Sequence, residues 1–343
     1  MRIHLTRAHL IGILRLTRYR EYIWFVVVST CLGTLAAYGA VGWKLAVVLL
    51  ANELAVAFAF MINDVEDAVD DALDEAKARR NPVSAGLISR PMAYGASFLA
   101  AALAAALYAL LGRWPLIVGA TCLLLAFLYS WRPVRLKAIP VADLVSHALM
   151  LAGLQFAAAY VTFNLAPGPR FFWPLAMALA ISAYGELFNE LRDLEGDRKA
   201  GVTHTASLLG AEAARQLAAV CALIGLFAAF VSFFVVQLAP LWVMGLSAAV
   251  AALLLIQPVR RLRRRGGPAP SQALLHKPVE IGTAFALSVR VISPWLSLLA
   301  NTATNAFLHS PLGQLVMSSS WVAWLQQLQR MWQLQMELLL RLF

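Results

Sequence analysis

Asn63-Asp64-Val65-Glu66-Asp67-Ala68-Val69-Asp70-Asp71 follows without a break on an apolar run, residues 43 to 62, and carries five acids. The run is long enough to cross a bilayer, so these acids sit where a membrane helix meets water and must be held there by something. On a helix turning about 100° per residue, Asn63, Asp64, Asp67 and Asp71 fall within an arc of roughly 100°, which predicts one polar face. A second copy lies 126 residues downstream: Asn189, Glu190, Asp193 and Asp197 repeat the spacing, with Glu190 standing where the first copy has Asp64. Two such faces turned toward each other predict a cage for a divalent metal. Carboxylates at this spacing suit hard cations such as Mg²⁺, which binds a few carboxylates together with phosphate oxygens of a substrate. The pattern therefore points to a phosphorylated substrate.

The composition says where such a cage would stand. Of 343 residues 61% are hydrophobic and 13% charged, and the mean hydropathy is +0.72, more apolar surface than one soluble core can bury. Apolar runs near 22 to 40, 43 to 62, 91 to 111, 114 to 130, 141 to 163, 172 to 188, 215 to 237, 239 to 257 and 277 to 300 predict nine spans. Cys31, Cys122 and Cys221 lie inside these runs with no metal or disulfide spacing, and read as packing residues. The net charge of +10 is spread over short clusters beside the spans, as topology and anionic headgroups require, with no basic face for nucleic acid.

Basic residues flank alternate loops: Lys77, Arg79, Arg80 and Arg90; Arg132, Arg135 and Lys137; Arg192, Arg198, Lys199 and Arg215; and the run from Arg260 to Arg265. The intervening loops hold little beyond Lys44, Arg113 and Arg170. This places the N-terminus and both acidic motifs in the cytoplasm, at one face of the membrane. Residues 1–20 read as a basic amphipathic helix on the membrane surface, 21–300 as the transmembrane domain, and 301–343, with Trp321, Trp324, Leu325, Leu328, Met331 and Trp332 at helical spacing, as an amphipathic tail. The first 20 residues are too basic and interrupted for a cleavable signal peptide.

Four segments in this order, NDVEDAVDD (63–71), RRNPVSAGLIS (79–89), YSWRPVRLK (129–137) and NELRDLEGDRKAGVTHTASLLG (189–210), resemble the UbiA superfamily of intramembrane prenyltransferases. The resemblance implies an all-α polytopic membrane protein with about nine transmembrane helices around a central cavity. It also implies Mg²⁺ held by two Asp-rich motifs, and transfer of an isoprenyl chain from a prenyl diphosphate donor to a lipophilic or aromatic acceptor. Carried over by position, Asp64, Asp67, Asp71, Asp193 and Asp197 are the metal ligands. Asn63, Arg79, Arg80, Arg135, Lys137, Asn189, Arg198 and Lys199 face the diphosphate. Asp67, Asp71, Tyr129, Lys137 and Asp193 carry the chemistry, while Glu190 departs from the Asp of the first copy.

The chemistry agrees with these residue types. Ionising an allylic C–O bond leaves negative charge on diphosphate, which metal and fixed cations stabilise best where water is excluded. The carbocation needs an aromatic face, such as Tyr129, and apolar walls. Two relatives of the same fold type, a phosphoribosyltransferase to a lipid phosphate and a terpene cyclase, would use the same cage. A divalent-cation channel or transporter is the alternative from another class, although acids gathered at one membrane face rather than midplane argue against it. Polar residues left inside the spans are Asn52 and Glu53, Glu186 on nearly the face of Asn189, Asp143, Ser146 and His147 at the start of span five, and Glu280 and Arg290 in span nine. Glu53 is a candidate for positioning an acceptor or for linking helices. The alanines between Ala100 and Ala106 read as close packing.

Overall fold

The computed structural model describes residues 6–199, 203–265, 272–310 and 330–331, with the side chains of 196–199, 257–265, 272–275 and 308 outside that description. Among the described residues all regular structure is helical. Thr6 accepts from the His9 amide to cap α1 (Arg7–Thr17), which ends at Arg18 in the left-handed region, φ 51°. Leu16 is buried while Leu10, Ile11 and Leu14 are exposed. The chain continues through α2 (Tyr19–Ala36), α3 (Trp43–Asp71), the short α4 (Glu75–Arg80), α5 (Arg90–Leu111) and α6 (Arg113–Ser130). Then come α7 (Ala142–Ala148), a π-helical turn (Leu149–Gly153), α8 (Leu154–Phe163), α9 (Pro169–Lys199), α10 (Thr205–Leu209), α11 (Ala211–Phe230), α12 (Leu241–Arg265) and α13 (Gln272–Leu308).

Seven helices among the described residues are long and apolar enough to cross a membrane, where the sequence predicted nine. The chain is an integral, multi-pass membrane protein. The two remaining predicted spans are also helical. However, α2 opens on Tyr-Arg-Glu-Tyr, which dilutes its hydropathy, and the apolar part of α12 is the shorter stretch Leu241–Ile256. The helix α13 runs past residue 300, to Leu308. Of the predicted tail, 311–329 and 332–343 lie outside the described residues. The chain divides into two compact units, 1–291 and 292–343. Within the second, α13 shows exposed Trp295, Leu296, Leu298 and Leu299.

In lipid, helices associate by close packing and hydrogen bonding rather than by apolar burial alone. Gly33 of α2 lets that helix approach α8 so closely that any side chain there would meet the Phe156 carbonyl and Ala159. One cluster joins Leu32, Leu35, Phe156, Tyr160, Met177, Val243 and Leu287 from α2, α8, α9, α12 and α13. Asn52 locks the other half of the bundle. Its Nδ2 donates to Thr30 Oγ1 at 2.8 Å and to the Gln155 carbonyl at 3.1 Å, while the Tyr108 hydroxyl donates to its Oδ1 at 2.6 Å. Asn52 and Tyr108 are fully buried; Asn52 is thus an interhelical link. This scaffold holds the acidic end of α3 against the loop that follows α6.

Candidate active site

The helix α3 does not stop where its apolar run stops; it continues for more than two turns through Asp71. Asn63 and Asp67, four residues apart and hence on one face, both meet Lys137. Its ammonium donates to Asn63 Oδ1 at 2.8 Å and to Asp67 Oδ2 at 2.5 Å. Arg135 Nη2 donates to Asp67 Oδ1 at 3.2 Å and to Asp70 Oδ2 at 3.1 Å, and Arg132 Nη2 reaches Asp70 Oδ1 at 3.0 Å. The loop can deliver these cations because Arg135 takes a left-handed backbone, φ 45°, ahead of a 3₁₀ turn at Leu136–Ala138. A non-glycine residue pays strain for that geometry, and the two ion pairs of Arg135 offset it. Burial pulls the Lys137 ammonium below the ordinary lysine range, with Asp67 acting in the opposite sense.

The remaining first-motif acids turn elsewhere. Asp64 is buried and pairs with Arg18 Nη1 at 3.2 Å, while its Oδ2 has no hydrogen-bond partner among the described residues. Arg18, at the left-handed joint between α1 and α2, lies over the Phe60 ring at 4.8 Å and also holds Glu21. Asp71 accepts from Asn81 Nδ2 at 2.9 Å; the same amide donates to the Asp64 carbonyl at 2.7 Å. Asn81, buried and extended before Pro82, thereby pins the 79–89 segment onto α3. The predicted single face is split among three partners. Among the described residues no three acidic, histidine or cysteine side chains gather as a metal-holding group.

On α9 the second motif is built differently. Glu190 Oε2 accepts from the Ala206 amide at 2.8 Å and lies 3.2 Å from His204 Nδ1. Asp143 accepts from the Thr205 amide and hydroxyl, each at 2.5 Å. Two buried carboxylates thus satisfy the first amides of α10. Asn189 is partly buried, and Asp193 is exposed and pairs with its neighbour Arg192 at 2.8 Å. Asp197, Arg198 and Lys199 have side chains outside the described residues. Arg79 is exposed and pairs with Glu75, away from the first motif. Arg80 also sits on the surface.

Tyr129 points away from the charged cluster. Its hydroxyl donates to Glu186 Oε1 at 2.9 Å, and His147 Nε2 lies 3.2 Å from Glu186 Oε2. The next residue, Ser130, donates to Asn63 Oδ1 at 3.2 Å. Asp143 and His147, read from sequence as one face, therefore serve different partners, and Ser146 folds back onto the carbonyls of Ala142 and Asp143. Glu280 pairs with Lys277 on its own helix. Glu53 is partly buried near Tyr22. Sequence reasoning gave no site role to Arg18, Asn81 or Arg132, although Asn81 and Arg132 lie inside two of the four segments that carry the resemblance.

A family model described as the UbiA prenyltransferase family matches residues 23–289. The chain belongs to that family. It is 32% identical over 163 residues to a lycopene elongase/hydratase of Haloferax volcanii, covering 45% of this chain and 48% of that protein. The chain thus spans about half the length of this relative. It is 27% identical over 232 residues to a digeranylgeranylglyceryl phosphate synthase of Pyrococcus abyssi, covering 66% of this chain and 76% of that one. Among solved structures, a UbiA homologue from Archaeoglobus fulgidus bound to GPP and Mg²⁺ has a TM-score of 0.64 at 24% identity, over 82% of this chain and 99% of the other. An apo UbiA homologue from Aeropyrum pernix has a TM-score of 0.60 at 18% identity, over 80% and 98%. At these identities the structural likeness is one of fold.

Proposed function

We propose that this protein transfers an isoprenyl group from a prenyl diphosphate to a lipophilic acceptor, with Mg²⁺ as cofactor, at the cytoplasmic face of the membrane. The observation that carries the reading is the meeting of Asn63 and Asp67 with Lys137 and Arg135 at the end of an apolar span. Metal-binding oxygens and diphosphate-binding cations converge there within hydrogen-bond distance. Mg²⁺ would be held by Asp64, Asp67 and Asp71, with Asp193 and Asp197 from the second motif. The unpartnered, buried Oδ2 of Asp64 and the all-oxygen donor set fit a hard cation. When bound, the metal supplies positive charge to the diphosphate oxygens.

Lys137 and Arg135 exchange Asp67 for the diphosphate and stabilise the charge that grows on it as the allylic C–O bond opens. Asn63 and Asn189 offer amide donors beside them. Arg80 adds positive charge, as Arg198 and Lys199 would, whereas Arg79, committed to Glu75, is left out. The Tyr129 ring faces the carbocation. Two relatives are named for lycopene elongation and for digeranylgeranylglyceryl phosphate synthesis, so a lipophilic isoprenoid is the acceptor class proposed. The loop charges support the cytoplasmic orientation.

The test is diphosphate release by the purified protein from geranyl, farnesyl, geranylgeranyl and phosphoribosyl diphosphates, each with and without a membrane-lipid extract. Release from an isoprenyl donor only when extract is present is the expected result. Release from the phosphoribosyl donor alone, or from an isoprenyl donor regardless of extract, would contradict transfer.

A further inference from the structure

Glu186 stands one turn before Asn189 and Glu190 on α9, about 4.5 Å further into the membrane. An ionisable side chain at such a depth is costly without partners, and this one has a donor for each oxygen, brought by different helices. The Tyr129 hydroxyl of α6 donates to Oε1 at 2.9 Å, and His147 of α7 places Nε2 3.2 Å from Oε2. His147 is oriented in turn by Ser182, whose hydroxyl lies 3.4 Å from Nδ1. With Nδ1 accepting from that hydroxyl, Nε2 carries the proton and donates it to Glu186. Directly after α7 comes the π-helical turn Leu149–Gly153, a feature frequent at functional sites.

Two comparisons separate this constellation from simple interhelical glue. The Asn52 link is sealed, with Asn52 and Tyr108 at 0% exposure. By contrast, Glu186 and His147 keep 14% and 16% of their side-chain surface, so a ligand can reach them. The constellation is also chained to the first motif, because Tyr129 precedes Ser130, which donates to Asn63. The carboxylate is therefore linked to the first motif through α6 and stands one turn before the second on α9.

We propose that Glu186 is the base that takes the proton the acceptor must lose, an assignment that rests on the transferase reading above. In the reaction, the donor C–O bond breaks and its electron pair leaves with diphosphate. The acceptor's nucleophilic pair, from a double bond or a hydroxyl, forms the new bond to the allylic carbon and leaves the acceptor positively charged. A C–H or O–H bond of the acceptor then breaks. Its pair neutralises that charge, and the proton passes to the Glu186 carboxylate. Tyr129 and His147 are positioning residues that hold the two oxygens.

The experiment measures transferred product against donor ionised, using geranylgeranyl diphosphate with lycopene in one arm and with a glyceryl phosphate carrying one geranylgeranyl chain in the other. Ionisation is followed by diphosphate release and by scrambling of an isotope label from the bridging oxygen of the donor. In the arm where the wild type forms product, Glu186→Gln should lower product by about 10²-fold or more while ionisation stays within about threefold. Tyr129→Phe and His147→Gln should lower the same ratio by about tenfold, and a general folding defect would not move it. An unchanged ratio in Glu186→Gln would give the proton to the departing diphosphate and overturn the assignment. A parallel loss of ionisation and product would overturn it too, making Glu186 part of the ionising or structural machinery. A wild type silent with every isoprenyl donor would instead remove the transferase reading, and this assignment with it.

Discussion

At the end of α3, Asp67 and Asp70 face cations delivered by residues 132–137. On α9 the corresponding turn holds Glu190 against the amide of Ala206 and the ring of His204, and leaves Asp193 to its neighbour Arg192. Equal spacing along two helices thus yields two unlike environments. The first is a set of ion pairs that a substrate can exchange. The second begins with an anchor that fixes the backbone after it. Glu at 190, one methylene longer than the Asp of the first copy, is the side chain that spans the gap to α10. A repeat in sequence predicts two polar faces; the segments packed against them decide what each face does.

The sharpest way to break this contrast is Asp67→Asn. Turnover should fall by about 10²–10³-fold with thermal stability nearly unchanged, because the lost charge matters most in the transition state. Lys137→Gln should cost about 10²-fold, read as a raised KM for the donor together with a lowered kcat. Glu190→Gln should behave in the opposite manner. It replaces the acceptor that Glu190 offers the α10 amide and should lower folding stability by about 0.5–1.5 kcal/mol, with turnover falling less than in either first-motif variant. If Glu190→Gln instead abolishes turnover without loss of stability, the two motifs are chemically equivalent and the contrast is wrong. Arg79→Ala marks the small end of the scale: an exposed pair with Glu75 contributes about 0–1 kcal/mol, and turnover should not change measurably.

Much of the fold was legible before the structure. Each predicted apolar run is helical, and the first motif continues its span as expected. The count of spans was less legible, since α2 begins among charged and aromatic residues and the apolar part of α12 is short. In the site, Lys137 and Arg135 both pair with Asp67. The partners Arg18 for Asp64 and Asn81 for Asp71 were not legible, because periodicity along a helix says which residues share a face and nothing about which distant segment packs on it. An arc of roughly 100° proved wide enough for Asp64, Asp67 and Asp71 to take three different partners. Glu186 was visible as an acid near the second motif, but its pairing with His147 and Tyr129 depends on how α6, α7 and α9 meet.

The central claim is that the α3 acids and the 132–137 cations form a metal-assisted diphosphate site. It is tested most directly by following diphosphate release from geranylgeranyl diphosphate in the presence of lipid acceptor, first with the divalent metal chelated and then with Mg²⁺ restored, in wild type and Asp67→Asn side by side. The account predicts release in the wild type only when Mg²⁺ is present, and none from Asp67→Asn under either condition. Release that survives chelation, or that Asp67→Asn retains at the wild-type rate, would contradict it.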